Sequence, residues 1–279
     1  MKLLSSIRKA PLSAQVGLLL CALFGLVAAF SSWIAPYDGA AIVADVWAPM
    51  SRTHLLGTDN LGRDLFSRLI HGTRTTLLIA GLATILSFTL GSVIGFVAAV
   101  SGGWVDTVLS RFVDLLMAIP TLIFALVVLS VFPSTVPVLI LVMGVLDSTR
   151  VYRLSRAVAM DINVMDFVES ARLRGEKTTW VVFCEILPNA LTPLVSELGL
   201  RFIFAVLFLS SLSFLGLGVQ PPEADWGGLV KENKEGIVFG IPAALAPAAA
   251  IALLTIAVNL VADWVLSITT NIRGEQGDV

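Results

Sequence analysis

The sequence predicts an all-α membrane protein of six transmembrane helices, and three observations carry that prediction. Of its 279 residues, 57% are hydrophobic and only 14% charged, where soluble domains run to roughly a quarter charged. Five stretches contain no Asp, Glu, Lys or Arg at all: Ala10–Tyr37, Thr75–Val105, Leu115–Leu146, Phe202–Pro222 and Ile237–Ala262. Each is long enough for a bilayer core, which takes about 20 helical residues. In lipid a segment must satisfy its own backbone hydrogen bonds, and the period-two alternation of a barrel strand is missing, so these stretches are helices.

Taken in chain order, the first span is expected near residues 14–35, behind Lys2, Arg8 and Lys9. A cleaved signal peptide begins similarly, but its apolar region runs to only about 7–15 residues, and a retained anchor fits the longer run better. Residues 1–75 therefore form an anchor helix and an external loop. The second span, 76–100, carries Gly81, Gly91 and Gly95; the last two make a Gly-x-x-x-Gly pair suited to close helix packing. The third, 108–131, has Arg111 and Asp114 one turn apart, which are expected to pair. Pro133 and Pro137 flank Ser134 and Thr135 and read as a tight turn that separates it from a fourth span at 136–156. There Asp147 lies one turn from Arg150. Residues 157–192 are too polar to span. The fifth span, 194–216, places Glu197 and Arg201 four apart on one face, again an expected ion pair. The sixth, 242–268, ends near Asp263, and 269–279 is a tail.

Orientation follows from Lys and Arg, which concentrate on cytoplasmic segments. Lys2, Arg8 and Lys9 precede the first span, and Arg150, Arg153, Arg156, Arg172, Arg174 and Lys177 crowd the connection between spans four and five. Both segments are expected in the cytoplasm, and six spans return the carboxyl end, with Arg273, to the same side. Arg52, Arg63, Arg68 and Arg74 oppose this assignment from the first external connection. His54 and His71 fall outside the spans, where a lone histidine is solvated or capping.

Several functions are excluded. A net charge of -2 gives no field for nucleic acid. Cys21 sits in an apolar stretch and Cys184 in a polar loop, so no disulfide, metal site or cofactor is expected. Gly175-Glu-Lys-Thr178 lacks the glycine directly before its lysine that a phosphate-binding loop requires. With no His-Glu-x-x-His, Gly-x-Ser-x-Gly or Cys-x-x-Cys, the chain is not expected to be an enzyme or to hydrolyse ATP. A secondary transporter or channel is the main rival class, but it calls for a midplane charge relay or a repeated broken helix, and no internal repeat is visible. A membrane enzyme or assembly scaffold is a weaker one.

The loop at 157–192 is polar yet patterned as helix, turn and helix. Asp166 is placed to cap a short helix ended by left-handed Gly175, Thr178 or Thr179 to cap the next, and Pro188 to stop it before span five. Ser170 and Ala171 leave one side of the short helix small, open to close approach by another protein. Glu169-Ser170-Ala171, Gly175 and Ile186-Leu187-Pro188 resemble the Glu-Ala-Ala…Gly…Ile-x-Leu-Pro loop of the permeases of bacterial ATP-binding-cassette importers, with Ser170 where that family usually has Ala. His54–Asp64, Gly102–Asp106 with Arg111, Asp114 and Pro120, and Ser213–Gly227 narrow the likeness to the dipeptide, oligopeptide and nickel branch. The match fails near the end, where Trp264–Asn271 replaces the usual Arg-Asp and Asp-Pro, and Pro247-Ala248 replaces Pro-Gly.

The resemblance implies a type I importer permease fold with a core domain at 76–268. Asp166–Thr179 would be the coupling helix, with Asp166, Glu169, Ser170, Ala171, Arg172, Gly175 and Pro188 as its coupling residues. Implied partners are a second homologous permease, two ATPase subunits and an extracytoplasmic solute-binding protein, in the lipid of a bacterial cytoplasmic (inner) membrane. The implied substrates are di- or oligopeptides, with nickel chelates and opines as alternatives. Gly216, Gly218, Gln220 and Trp226 are candidates for closing the external mouth. Gln220-Pro-Pro222 is rigid and Trp226 suits a membrane interface.

Overall fold

The computed structural model describes residues 10–276, with side chains to residue 268. Lys2, Arg8 and Lys9 lie outside the described residues, as does the side chain of Arg273. Helices dominate, and among the described residues the only β-type pairing is two isolated bridges, Ile42 with Arg63 and Thr58 with Asp64.

Helix α1 (Leu12–Ala29) is apolar on nearly all sides, as a helix facing lipid must be. It touches the bundle through small residues: Ala14 and Gly17 are buried, and a Cβ on Gly17 would lie 2.8 Å from the Ala257 carbonyl oxygen. A short α2 (Ser31–Ile34) leads into a folded loop, and α3 (Leu65–Ser101) follows. This helix starts eleven residues before the expected 76. The reason is Asp64, whose carboxylate accepts the Ser67 N–H at 2.8 Å and caps the helix outside the apolar stretch. At 37 residues it is roughly 55 Å long, longer than the bilayer core, so its first turns belong to the loop layer.

The expected single span 108–131 is two helices, α4 (Gly103–Ala118) and α5 (Thr121–Val131), bent by 85°. Pro120 causes the break. It has no N–H to donate, and it drives Ile119 to an extended ψ of 130°. The turn at Pro133–Thr135 forms as expected and opens α6 (Val136–Asn163), which runs seven residues past 156.

Beyond it, α7 (Asp166–Leu173) and α8 (Thr178–Trp180) form a helix–turn–helix. A π-helical turn, Val181–Ile186, joins α8 to α9 (Leu187–Leu215) without interruption. Pro188 therefore does not stop a helix, contrary to the sequence expectation. The π turn shifts bonding so that Leu187 N–H reaches the Val182 carbonyl, and the missing N–H of Pro188 is absorbed at that widened turn. After a loop come α10 (Trp226–Asn233), two 3₁₀ turns, and α11 (Leu245–Gln276), which continues through most of the segment expected as a tail.

Four of these helical runs are long and apolar enough to cross a membrane, five if the bent α4–α5 pair counts as one span. The exception is α6, which carries Asp147, Arg150, Arg153 and Arg156 from its middle onward.

The spine of the bundle is the contact between α3 and α6. A Cβ on Gly91 would stand 2.6 Å from the Ser148 carbonyl oxygen and 2.6 Å from Val151 Cβ, and one on Gly95 would stand 2.9 Å from the Tyr152 carbonyl oxygen. The two backbones meet because these positions have no side chain, as the Gly-x-x-x-Gly spacing led one to expect. One apolar core, including Ile79, Met143, Leu209 and Trp226, fills the half of the bundle toward the loop layer, and a second, including Phe96, Ile162, Val168 and Ile186, fills the opposite end.

Gly91→Val is expected to lower the thermal midpoint of the detergent-solubilised protein, since overpacking costs about 1–3 kcal/mol. Gly81→Ala, which meets nothing within 4 Å, should be neutral or slightly stabilising. Equal effects of the two would contradict the close-contact account.

Candidate functional site

The patterned loop builds a helix with two distinct faces. On α7, Val168 and Ala171 are fully buried against Val181 and Ile186 of the π turn, while Asp166, Glu169, Ser170 and Arg172 are exposed. Leu173 is 82% exposed, an apolar side chain with no covering within the chain. Ala171 thus seats the helix in its own protein and does not lie on an open small-residue face, which corrects the sequence reading; Ser170 stays on the outward side. The caps differ too: Met165 occupies the N-cap of α7 and Lys177 that of α8, neither with a capping side-chain hydrogen bond, and Asp166, Thr178 and Thr179 lie inside their helices. Gly175 ends α7 as expected. With φ at +86° it lets Glu176 N–H reach the Ala171 carbonyl at 3.2 Å and its own N–H reach that of Arg172 at 2.9 Å, the paired bonds of a Schellman motif. Pro188 is exposed beyond the π turn.

Ion pairs brace the helices above this loop. Arg156 grips Asp106 with two hydrogen bonds of 2.5 and 2.6 Å. Asp114 pairs with Arg153 at 2.7 Å and not with Arg111, which is exposed. Both carboxylates of α4 are therefore used to fasten α6, the nearer arginines winning over the partner one turn away. Glu197 and Arg201 pair as expected, at 2.5 Å, and Asp147 lies 3.7 Å from Arg150 and 3.5 Å from Arg201. Asp263 is exposed beside Asn259.

The opposite end is held by charges that sequence reasoning did not bring together. Asp59, fully buried, receives Arg63 at 2.7 Å and Arg68 at 2.6 Å. Both arginines also bind Glu232 on α10, Arg63 at 2.7 Å, and Asn233 accepts the Asn60 N–H at 3.2 Å. The Asp59–Arg63 spacing was a readable signal; Glu232, about 170 residues away, left none. Two of the four arginines that opposed the charge rule are thus neutralised within the fold. His54 is neither solvated nor a cap: its Nδ1 lies 3.0 Å from the capping carboxylate of Asp64. His71 sits on α3.

The gate candidates form the root of this layer. Gly216 ends α9 with φ at +96°, Gly218 packs on Ser213, and Gln220 donates to the Gly216 and Gly218 carbonyls at 3.1 and 2.9 Å. Trp226 is not at an interface. It is completely buried, its indole N–H donating to the Leu69 carbonyl at 3.2 Å and its ring meeting Phe24 edge-on at 5.5 Å. Among the described residues no three His, Cys, Asp or Glu side chains converge on a metal-sized site.

The chain is similar in sequence to known proteins. The model of the family described as binding-protein-dependent transport system inner membrane component matches residues 91–269. The chain is 34% identical to the di/tripeptide transport system permease protein DppC of Pseudomonas aeruginosa UCBPP-PA14, over 88% of this chain and 84% of the relative. It is 36% identical to the dipeptide transport system permease protein DppC of Escherichia coli K12, over 90% and 86%. Identity is 32% to the glutathione transport system permease protein GsiD of Pectobacterium atrosepticum SCRI 1043, over 76% and 71%.

Asp225, which caps α10 through the Gly227 and Gly228 amides at 3.2 and 3.3 Å, supplies a pH test. Burial pushes its carboxyl up from 3.8 to about 6 despite the hydrogen bonds it accepts. The fold therefore favours the protonated form, and stability falls as pH rises from about 4 through 6. Asp225→Asn keeps a capping oxygen and removes the charge. It is expected to gain roughly 1–3 kcal/mol at pH 7.5, with the gain gone at pH 4, in thermal unfolding followed across that range. A variant less stable than wild type at pH 7.5 would contradict this.

Proposed function

This chain belongs to the family of binding-protein-dependent transport system inner membrane components, and from that membership we propose how it works as the permease subunit of an ATP-driven peptide importer. Its six spans are α1, α3, the bent α4–α5 pair, α6, α9 and α11. The charges of α6 are compatible with a span because they have partners on their own or neighbouring helices: Arg156 binds Asp106 in a part-buried pair, Arg153 binds Asp114 at the exposed end, and Asp147 lies 3.7 Å from Arg150 and 3.5 Å from Arg201. The 157–192 loop and both termini face the cytoplasm of a bacterium, and the layer holding Asp59, Gly216 and α10 faces outward. Residues 76–268 form the core domain, 1–75 the anchor and outer loop, and 269–279 a cytoplasmic tail.

The observation that carries the mechanism is the two-faced seating of α7. Its inner face is locked by Val168 and Ala171 to the π turn that begins α9, and its start follows α6 after two residues. A push on its outer face, Asp166, Glu169, Ser170 and Arg172, is therefore delivered to two membrane helices together. Gly175 fixes where α7 ends, and the π turn with Pro188 forms a stiff joint below α9. Two ATPase subunits below, a second permease alongside and a solute-binding protein outside complete the machine. ATP favours the closed ATPase pair, and that difference in affinity shifts the membrane helices from inward- to outward-facing; hydrolysis, performed by the partners, resets them. The turn at Gly216, Gly218 and Gln220, rooted by Trp226, closes the outer mouth. The named activities of the relatives, di/tripeptide, dipeptide and glutathione transport, favour a small peptide as the solute.

In the reconstituted complex, Gly175→Pro combined with Glu169→Arg is expected to keep assembly but to reduce solute-stimulated ATP hydrolysis and uptake by about tenfold or more, the scale of an allosteric coupling lost. Normal transport by the double variant, or failure of any ATPase subunit to co-purify with wild type, would overturn the reading.

A further inference from the structure

Within the membrane span a cavity of about 370 Å³ opens between α3, the start of α5, α6 and α9, and its lining is unusual for such a depth. Leu122, Met143, Phe204 and Phe208 make apolar walls, while Asp147 and Arg150 supply charge. The volume lies in the range of small-ligand pockets, about 300–1,000 Å³. Ionised groups inside a span are costly unless paired, and their presence there points to function.

Here the pairing is incomplete. In this cluster Asp147 is shared by two guanidiniums, at 3.7 Å from Arg150 and 3.5 Å from Arg201, both longer than a good hydrogen bond. Its Oδ2 and the Nη1 of Arg201 are buried with no hydrogen-bond partner. Arg201 is otherwise committed to Glu197, which it binds through Nε and Nη2 at 2.9 and 2.5 Å. Arg150 has no such commitment: its side chain is 42% exposed and its other contact is with the Phe204 ring, 5.8 Å from the centroid. Arg201 lies over the same Phe204 ring, 5.1 Å from its centroid.

We propose that this cavity is a transit site for a zwitterionic solute with a free carboxylate and a free amino group a few bonds apart, Arg150 taking the carboxylate and Asp147 the ammonium. The solute's carboxylate draws Arg150 away from its loose contact, which uncovers Asp147 for the positive end. The cluster is charge-balanced before and after, two acids and two bases plus a net-neutral guest, so no unpaired charge is left in the bilayer at any stage. The apolar walls accept small side chains without selecting among them. This inference rests on the importer reading and adds the residues and the charge pattern that the permease itself recognises.

The test uses the assembled transporter in proteoliposomes with radiolabelled alanyl-alanine and alanyl-alanine amide, each delivered by the same binding protein. Wild type is expected to import the free acid, and Arg150→Gln to lower its uptake by about tenfold or more, as loss of a charged hydrogen bond does. The amide, which has no carboxylate, should be affected less than about threefold, and Arg150→Lys should restore most uptake of the free acid. If Arg150→Gln depresses both probes equally while solute-stimulated ATP hydrolysis persists, the cavity serves packing or the partner permease, and the transit site is overturned. If wild type imports neither probe and shows no stimulated hydrolysis, the importer reading fails first, and this site with it.

Discussion

The contact on which the rest of the structure depends is the approach of α3 to α6 at Gly91 and Gly95. Lipid offers no hydrophobic drive to bring two apolar helices together, so association rests on close van der Waals packing and on polar bonds between them. The missing side chains on α3 let the α6 backbone settle against it, and Ser155 adds a hydrogen bond to Ser92 at 3.2 Å. Once these two helices are fixed, their ends are fixed as well. One end of α3 carries the loop layer, and the far end of α6 runs directly into α7. The cavity lined by Asp147 and Arg150 occurs where the same pair diverges from α5 and α9.

Charge then closes the two ends in different ways. In the loop layer the ion pairs are buried: Asp59 and Arg68 are almost inaccessible, and Glu232 brings in α10. Such a network costs desolvation and contributes little net stability, but removing one member strands the others, so it fixes geometry more than it adds energy. Below α4 and α6 the pairs are part-exposed, and Arg156 with Asp106 or Arg153 with Asp114 contributes modestly. The contrast suits a rigid loop layer and an opposite end that moves against neighbours.

Much of this was legible in the sequence because the signals were local. Apolar runs gave the helices, Gly91 and Gly95 the packing stripe, Gly175 the end of α7, and Glu197 with Arg201 an ion pair. The errors arose where distant partners decided the outcome. Asp114 chose Arg153 of another helix over Arg111 of its own. Trp226 looked amphipathic enough for an interface, yet a carbonyl of α3 accepts its N–H in the core. Pro188 reads as a helix stop in any linear scan, but the π turn that ends two residues earlier absorbs it. Pro120, noted only as part of a motif, breaks α4 from α5 by 85°, because the residue before proline cannot stay helical. The Asp59–Glu232 network joins residues some 170 positions apart, and no spacing rule reaches that far.

The central claim is that the outward face of α7 is where another protein drives the membrane helices. A benzophenone side chain introduced at position 173, where Leu173 is 82% exposed, can be compared with one at position 33, where Trp33 is 85% exposed. In the assembled complex, illumination is expected to cross-link position 173 to the ATPase subunit, with a yield that changes when ATP is added, and position 33 to lipid or an extracytoplasmic partner. Equal capture of the ATPase at both positions, or none at 173, would contradict the account.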